Sequence, residues 1–177
     1  MAPPIADLRP FVREIPDFPR QGILFRDITP LLLNAGALDA AVSALAERVS
    51  GLSVDFVVAA EARGFILGAA LARELGAGFV PARKPGKLPA ATISAEYTLE
   101  YGLDALEVHA DALAGGARAL LHDDLLATGG TAGAMCDLVA GLGAEIIGCS
   151  FLVELRGLGG RQRLAPRPVR SVLEYDH

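Results

Sequence analysis

The sequence predicts an α/β fold in which helices flank a central, mainly parallel β-sheet. Short runs rich in Val, Ile and Leu alternate along it with longer segments whose apolar residues recur every three or four positions. Glycines and prolines separate these runs, so each reads as its own element. Over residues 120–131 an apolar run breaks into two acids, then small residues, then a helical pattern, as where a parallel strand delivers its end to a ligand.

The elements follow in order. Pro16, Pro19, Gly22 and Pro30 leave room for turns and one short strand near Ile23–Phe25. Leu38, Ala41, Val42, Leu45, Ala46 and Val49 form one apolar face, which predicts a helix from Leu38 to Ser50. Residues 54–60 are a β-branched strand, and Phe65–Leu75 is a helix closed by Gly76. Residues 79–82 form a strand weakened by Pro81. Residues 84–103 hold Pro85, Gly86, Pro89 and Gly102 and read as a long loop or a mobile hairpin, a length usually kept for function. Strands are expected at 105–109, 117–122, 145–155 and 169–175, with a helix over 131–142.

The 177 residues suit a single domain over 1–177. Aromatics are only 6% and Trp is absent, so the core is aliphatic. Sixteen Lys and Arg against twenty-one Asp and Glu give −5, which argues against partnership with nucleic acid or an acidic membrane. No apolar run nears the ~18 residues of a membrane span. The start, Met1-Ala2-Pro3-Pro4, lacks the features of a secretory signal. Cys136 and Cys149 lack metal-ligand spacing and fit a reducing, cytoplasmic compartment, and the scattered histidines add no metal site.

The chemistry concentrates in Asp123-Asp124-Leu125-Leu126-Ala127-Thr128-Gly129-Gly130-Thr131. The glycines leave backbone N–H groups open, the next helix offers its positive end, and Thr128 and Thr131 add hydroxyls. That is a phosphate cradle. Two carboxylates beside it would repel a bare phosphate, but they suit a sugar phosphate whose hydroxyls donate to them. Neither a Walker loop, a Rossmann fingerprint nor a G-x-S-x-G elbow occurs.

This string resembles the phosphoribosyl diphosphate (PRPP) signature of type I phosphoribosyltransferases. Phe18-Pro19, Gly22 to Pro30, Glu61-Ala62-Arg63-Gly64-Phe65, Arg83 to Pro89 and Tyr97 to Gly102 narrow the resemblance to the adenine phosphoribosyltransferases, over about Ile15 to Tyr175. His122 departs from the aliphatic residue usual there. The resemblance implies a small N-terminal hood over about 1–34, a flexible catalytic loop over 84–103, and the reaction of adenine with PRPP to AMP and diphosphate.

It also implies roles. Asp123 and Asp124 hold the ribose hydroxyls, Ala127 to Thr131 wrap the 5′-phosphate, and Leu125 and Leu126 belong to the same PRPP-binding string; the residue types themselves also read as helix N-caps and a tight turn. Arg63 meets the diphosphate beside a peptide, Glu61–Ala62, that can be cis in this family. Arg83, Lys84 and Lys87 attract PRPP, and Arg83 reaches a neighbouring subunit, which implies a homodimer. Glu100 exchanges a proton with the purine, and Tyr101 helps close the loop. Phe25 stacks on adenine while the backbone near Leu24 and Arg26 reads its edge. Glu100, Arg63, Asp123 and Asp124 form the catalytic set, and Mg²⁺ arrives on PRPP without a dedicated protein site. The alternatives are a transferase for another purine and a non-catalytic PRPP sensor, which the net charge of −5 disfavours.

Overall fold

The computed structural model describes residues 7–99 and 102–176, with side chains omitted over 98–103. Five parallel strands carry it: β3 (Phe56–Ala60), β4 (Gly78–Ala82), β7 (Arg118–Leu126), β8 (Glu145–Leu155) and β9 (Val169–Tyr175), in the order β4-β3-β7-β8-β9. The strand with the acidic signature, β7, lies in the middle. Pro81 is tolerated because β4 is an edge strand, where a missing N–H breaks no ladder.

Alternation along the strands sends neighbours to opposite faces. Val58 and Leu121 join one core cluster; Val57 and Leu120 join the other. Each large side chain buried this way stabilises the fold by about 1.5–3 kcal/mol. One face is covered by α4 (Gly130–Gly141), through Met135 and Leu138. The other is covered by α2 (Ala35–Arg48), through Ala37, Ala41 and Leu45, and by α3 (Arg63–Leu75), through Leu67 and Leu71.

Helix α2 begins three residues before the expected Leu38, because the Asn34 side chain accepts from the Ala37 N–H at 3.0 Å and sets the start. Helix α3 stops at Gly76, whose φ of 66° is left-handed, as the sequence predicts. The segment 84–103 is no plain loop. Its second half is strand β5 (Thr92–Leu99), paired antiparallel with β6 (Gly102–His109). Ile93, Ala95 and Tyr97 alternate inward and pack into the cluster that holds α4, which gives the arm its strand character.

Three short elements carried no periodic signal. They are β1 (Arg13–Ile15), α1 (Thr29–Leu33) and α5 (Gly160–Leu164). β1 pairs antiparallel with β2 (Phe25–Asp27) to build the N-terminal hood. Among the described residues, no helix is long and apolar enough to cross a membrane.

Candidate active site

The C-terminal end of β7 opens into a cavity of about 240 Å³, lined by Arg63 and by residues Asp123 to Ala132. A larger groove of about 720 Å³ lies elsewhere, against Leu8, Arg48 and Val172, without such a set of groups.

Asp123 and Asp124 do not follow the strand; they belong to it. β7 keeps its register with β8 from Asp123↔Phe151 to Leu126↔Glu154, four residues past the expected end at His122. Pairing with β8 supplies the backbone partners that make this extension favourable. The acids therefore cap no helix. The N-cap of α4 is Gly129, with φ 79° and no side-chain cap.

Burial drives the Asp123 carboxyl well above the usual carboxylate range, and the charge of Asp124 drives it further. Asp124 is also raised by burial, against the opposing pull of Arg63. Arg63 Nε lies 3.0 Å from Asp124 Oδ2, an ionic contact without the alignment of a directed hydrogen bond. Asp123 Oδ1 accepts from the Asp124 N–H at 2.9 Å. Such a pair favours a ligand that donates hydrogen bonds or carries positive charge.

Behind the acids, Ala127 to Gly129 turn into α4. The first N–H groups of a helix have no partner within it, so this turn offers donors to an anion. Arg63 is the first residue of α3, and the Glu61–Ala62 peptide before it is cis. The hood reaches the same place. Phe25 lies 5.1 Å from the Arg63 guanidinium and meets Phe18 edge-on at 5.1 Å. Leu24 is half-buried beside Phe25. The Arg26 side chain is buried, ion-paired with Glu14 and stacked 4.0 Å over Tyr175, so it fastens the hood to β9.

The basic loop does not line the cavity. Arg83 Nε donates to Glu61 at 2.9 Å, and Lys84 Nζ lies 3.2 Å from Asp104. Lys87 contributes its carbonyl, which accepts from Arg83 at 3.1 Å. Glu100 and Tyr101 lie outside the described residues. Sequence reasoning missed Tyr97 and Asp104. The Tyr97 hydroxyl donates to Asp104 at 3.2 Å, and Asp104 also pairs with Lys84, which joins the hairpin to the basic loop. The alternation of Ile93, Ala95 and Tyr97 was the available signal.

Among the described residues, no three His, Cys, Asp or Glu side chains converge to hold a metal ion. Cys136 and Cys149 are both free and buried.

Known proteins resemble this chain throughout. The family described as phosphoribosyl transferase domain matches residues 32–171. The adenine phosphoribosyltransferase of Pseudothermotoga lettingae is 56% identical over 169 residues, which span 96% of this chain and 99% of that one. The crystal structure of adenine phosphoribosyltransferase from Thermoanaerobacter pseudethanolicus superposes with a TM-score of 0.93 at 50% identity, covering 95% of this chain and 98% of that one. That of the Saccharomyces cerevisiae enzyme, complexed with an imino-altritol bisphosphate and adenine, gives 0.89 at 39% identity over 94% and 96%. With the family match over most of its length and relatives above half identity, this chain belongs to the adenine phosphoribosyltransferases, within the phosphoribosyltransferase family.

Proposed function

We propose that adenine and PRPP meet in the cavity at the end of β7, and that the reaction of this family runs there through the following division of labour. The observation that carries this reading is the joining of a carboxylate pair, a small-residue turn into a helix and one arginine in a single cavity. Ala127 to Thr131, after Leu125 and Leu126, hold the 5′-phosphate. Asp123 and Asp124 accept from the ribose hydroxyls and face the positive charge that develops at the anomeric carbon. Arg63 meets the diphosphate, toward which Arg83, Lys84 and Lys87 draw the substrate. Adenine lies under the hood, with Phe25 against its face and the backbone of Leu24 and Arg26 at its edge. The yeast relative complexed with adenine supports a base site in this fold.

The N9 lone pair forms the new bond to the anomeric carbon as the bond to the diphosphate oxygen breaks, and Glu100 takes the proton that adenine gives up. Tyr101 helps cover the site, so that water does not take the place of adenine. Mg²⁺ enters as part of the substrate, on the diphosphate, where it would disperse leaving-group charge. We also place the protein in the cytoplasm as a homodimer. Leu33, 82% exposed, and Ile66, 46% exposed, offer apolar surface for a second copy, and light scattering would read the mass directly.

The test is to mix the protein with PRPP, Mg²⁺ and each common purine in turn. AMP from adenine alone supports the reading. Turnover of hypoxanthine or guanine would move the base assignment, and PRPP binding without turnover would favour the sensor.

A further inference from the structure

Helix α5 is pressed against the phosphate turn with no side chain between them. A Cβ at Gly160 would lie 2.3 Å from the Ala127 carbonyl oxygen, and one at Gly129 would lie 3.0 Å from the Gly160 oxygen. Five residues do not sustain a helix alone, so contacts around α5 must set its place. One is Leu164, 1% exposed and packed in the core with Leu126. The other is ionic. Glu154 is 2% exposed at the end of β8, in register with Leu126. Arg161 Nε donates to one of its carboxylate oxygens at 2.8 Å and Arg161 Nη2 to the other, which also accepts from Ser171 Oγ at 2.6 Å. Arg161 Nη1 donates to the Val169 carbonyl at 2.9 Å. Two parallel charge-assisted bonds fix direction as well as distance.

A carboxylate this deep is unfavourable unless fully partnered. Burial pushes its pKa up, but Arg161 and Ser171 outweigh burial and hold it below the ordinary value, so it stays ionised. The mechanism uses neither Glu154 nor Arg161.

We propose that Glu154 and Arg161 are positioning residues for the 5′-phosphate subsite: their ion pair, built on a buried carboxylate and a half-exposed guanidinium, clamps α5 so that Gly160 backs Ala127 to Gly129 and keeps that turn in its anion-binding shape. This rests on the reading that the turn holds the 5′-phosphate. It accounts for the absence of room at Gly160, where even a methyl group would displace the turn.

The experiment uses Glu154→Gln, Arg161→Ala, Arg161→Lys and Gly160→Ala in the full chain. Ribose 5-phosphate and inorganic diphosphate with Mg²⁺ serve as separate calorimetric probes beside steady-state kinetics. Glu154→Gln and Gly160→Ala should each raise KM for PRPP at least ~10-fold and weaken ribose 5-phosphate by a similar factor. Diphosphate affinity and KM for adenine should stay within about twofold. Arg161→Lys keeps the charge without the fork and should fall between wild type and Arg161→Ala. Unchanged ribose 5-phosphate affinity in folded Glu154→Gln, or equal loss of both probes, would overturn the clamp. If Glu154→Gln does not fold, Gly160→Ala decides by the same two readouts, since it leaves the pair intact. Thr128→Ala separates the premises: normal ribose 5-phosphate binding there defeats the phosphate assignment itself, whereas loss there without loss in the α5 variants defeats only the clamp.

Discussion

Gly64 on α3 lies so close to Asp123 on β7 that a Cβ at position 64 would stand 2.7 Å from the Asp123 carboxylate oxygen. The helix that carries Arg63 and the strand that carries the acids thus touch at a point where only hydrogen fits. Cavity geometry depends on that approach.

Gly64→Ala is therefore expected to displace Asp123. Helix propensity favours Ala, by up to about 1 kcal/mol, and overpacking opposes it by about 1–3 kcal/mol. Thermal unfolding should show a net loss of about 0–3 kcal/mol, while kcat/KM for PRPP falls about 10-fold or more. Unaltered kinetics would mean that Asp123 has room to yield.

Asp123→Asn should separate stability from activity. The folded protein holds the Asp123 proton more tightly than the unfolded chain does, because burial and Asp124 oppose its charge. Above the unfolded value near 3.8 this reduces stability; the penalty is complete above the raised folded pKa, shrinks as pH falls through it, and vanishes below about 3.8. At pH 7 the free Asn variant should melt at a higher temperature than wild type, while kcat/KM for PRPP drops about 10–100-fold through the loss of a charged acceptor. A lower melting temperature would show that the carboxylate is compensated in the free protein.

His122 gives a pH signature. It is fully buried in the middle of β7, and burial lowers its pKa from 6.5 to about 4, against a smaller opposing contact with the Ser150 backbone. The unfolded chain takes up this proton first, so stability should fall by about 3 kcal/mol as pH drops from about 6.5 to about 4, and level off below. His122→Leu should flatten that window in denaturant titrations and leave kcat within about twofold. A slope that survives the substitution would assign the window to other groups.

Glu100→Gln tests the proton acceptor. It should lower kcat about 100-fold with little change in PRPP affinity, measured by steady-state kinetics and direct binding. An unchanged kcat removes Glu100 from the mechanism.

Much of this was legible in the chain itself. The order of strands and helices followed from periodicity, the acid pair and the small-residue turn followed from residue types whose chemistry is local, and Arg63 followed from the family resemblance alone. The elements that escaped were short. β1, α1 and α5 have three to five residues, too few for a period to show; over 84–103 the hairpin was one of two open readings, and only its extent as β5 and β6 stayed hidden.

By itself the sequence determined the α/β class, the place of the small-residue turn between β7 and α4, and the family, because these are written in short runs of residues. Tertiary structure alone decided three things. Pairing with β8 carried β7 through Asp123 and Asp124, so the acids became strand residues instead of helix caps. Packing onto α4 decided between loop and hairpin for residues 84–103, in favour of a hairpin arm whose Tyr97 is buried in that cluster. The Glu154–Arg161 pair joined α5 to the end of β8 across seven positions of sequence. In each case the deciding interaction joins residues on different elements, and local periodicity carries no record of which partner will supply the hydrogen bond or the contact.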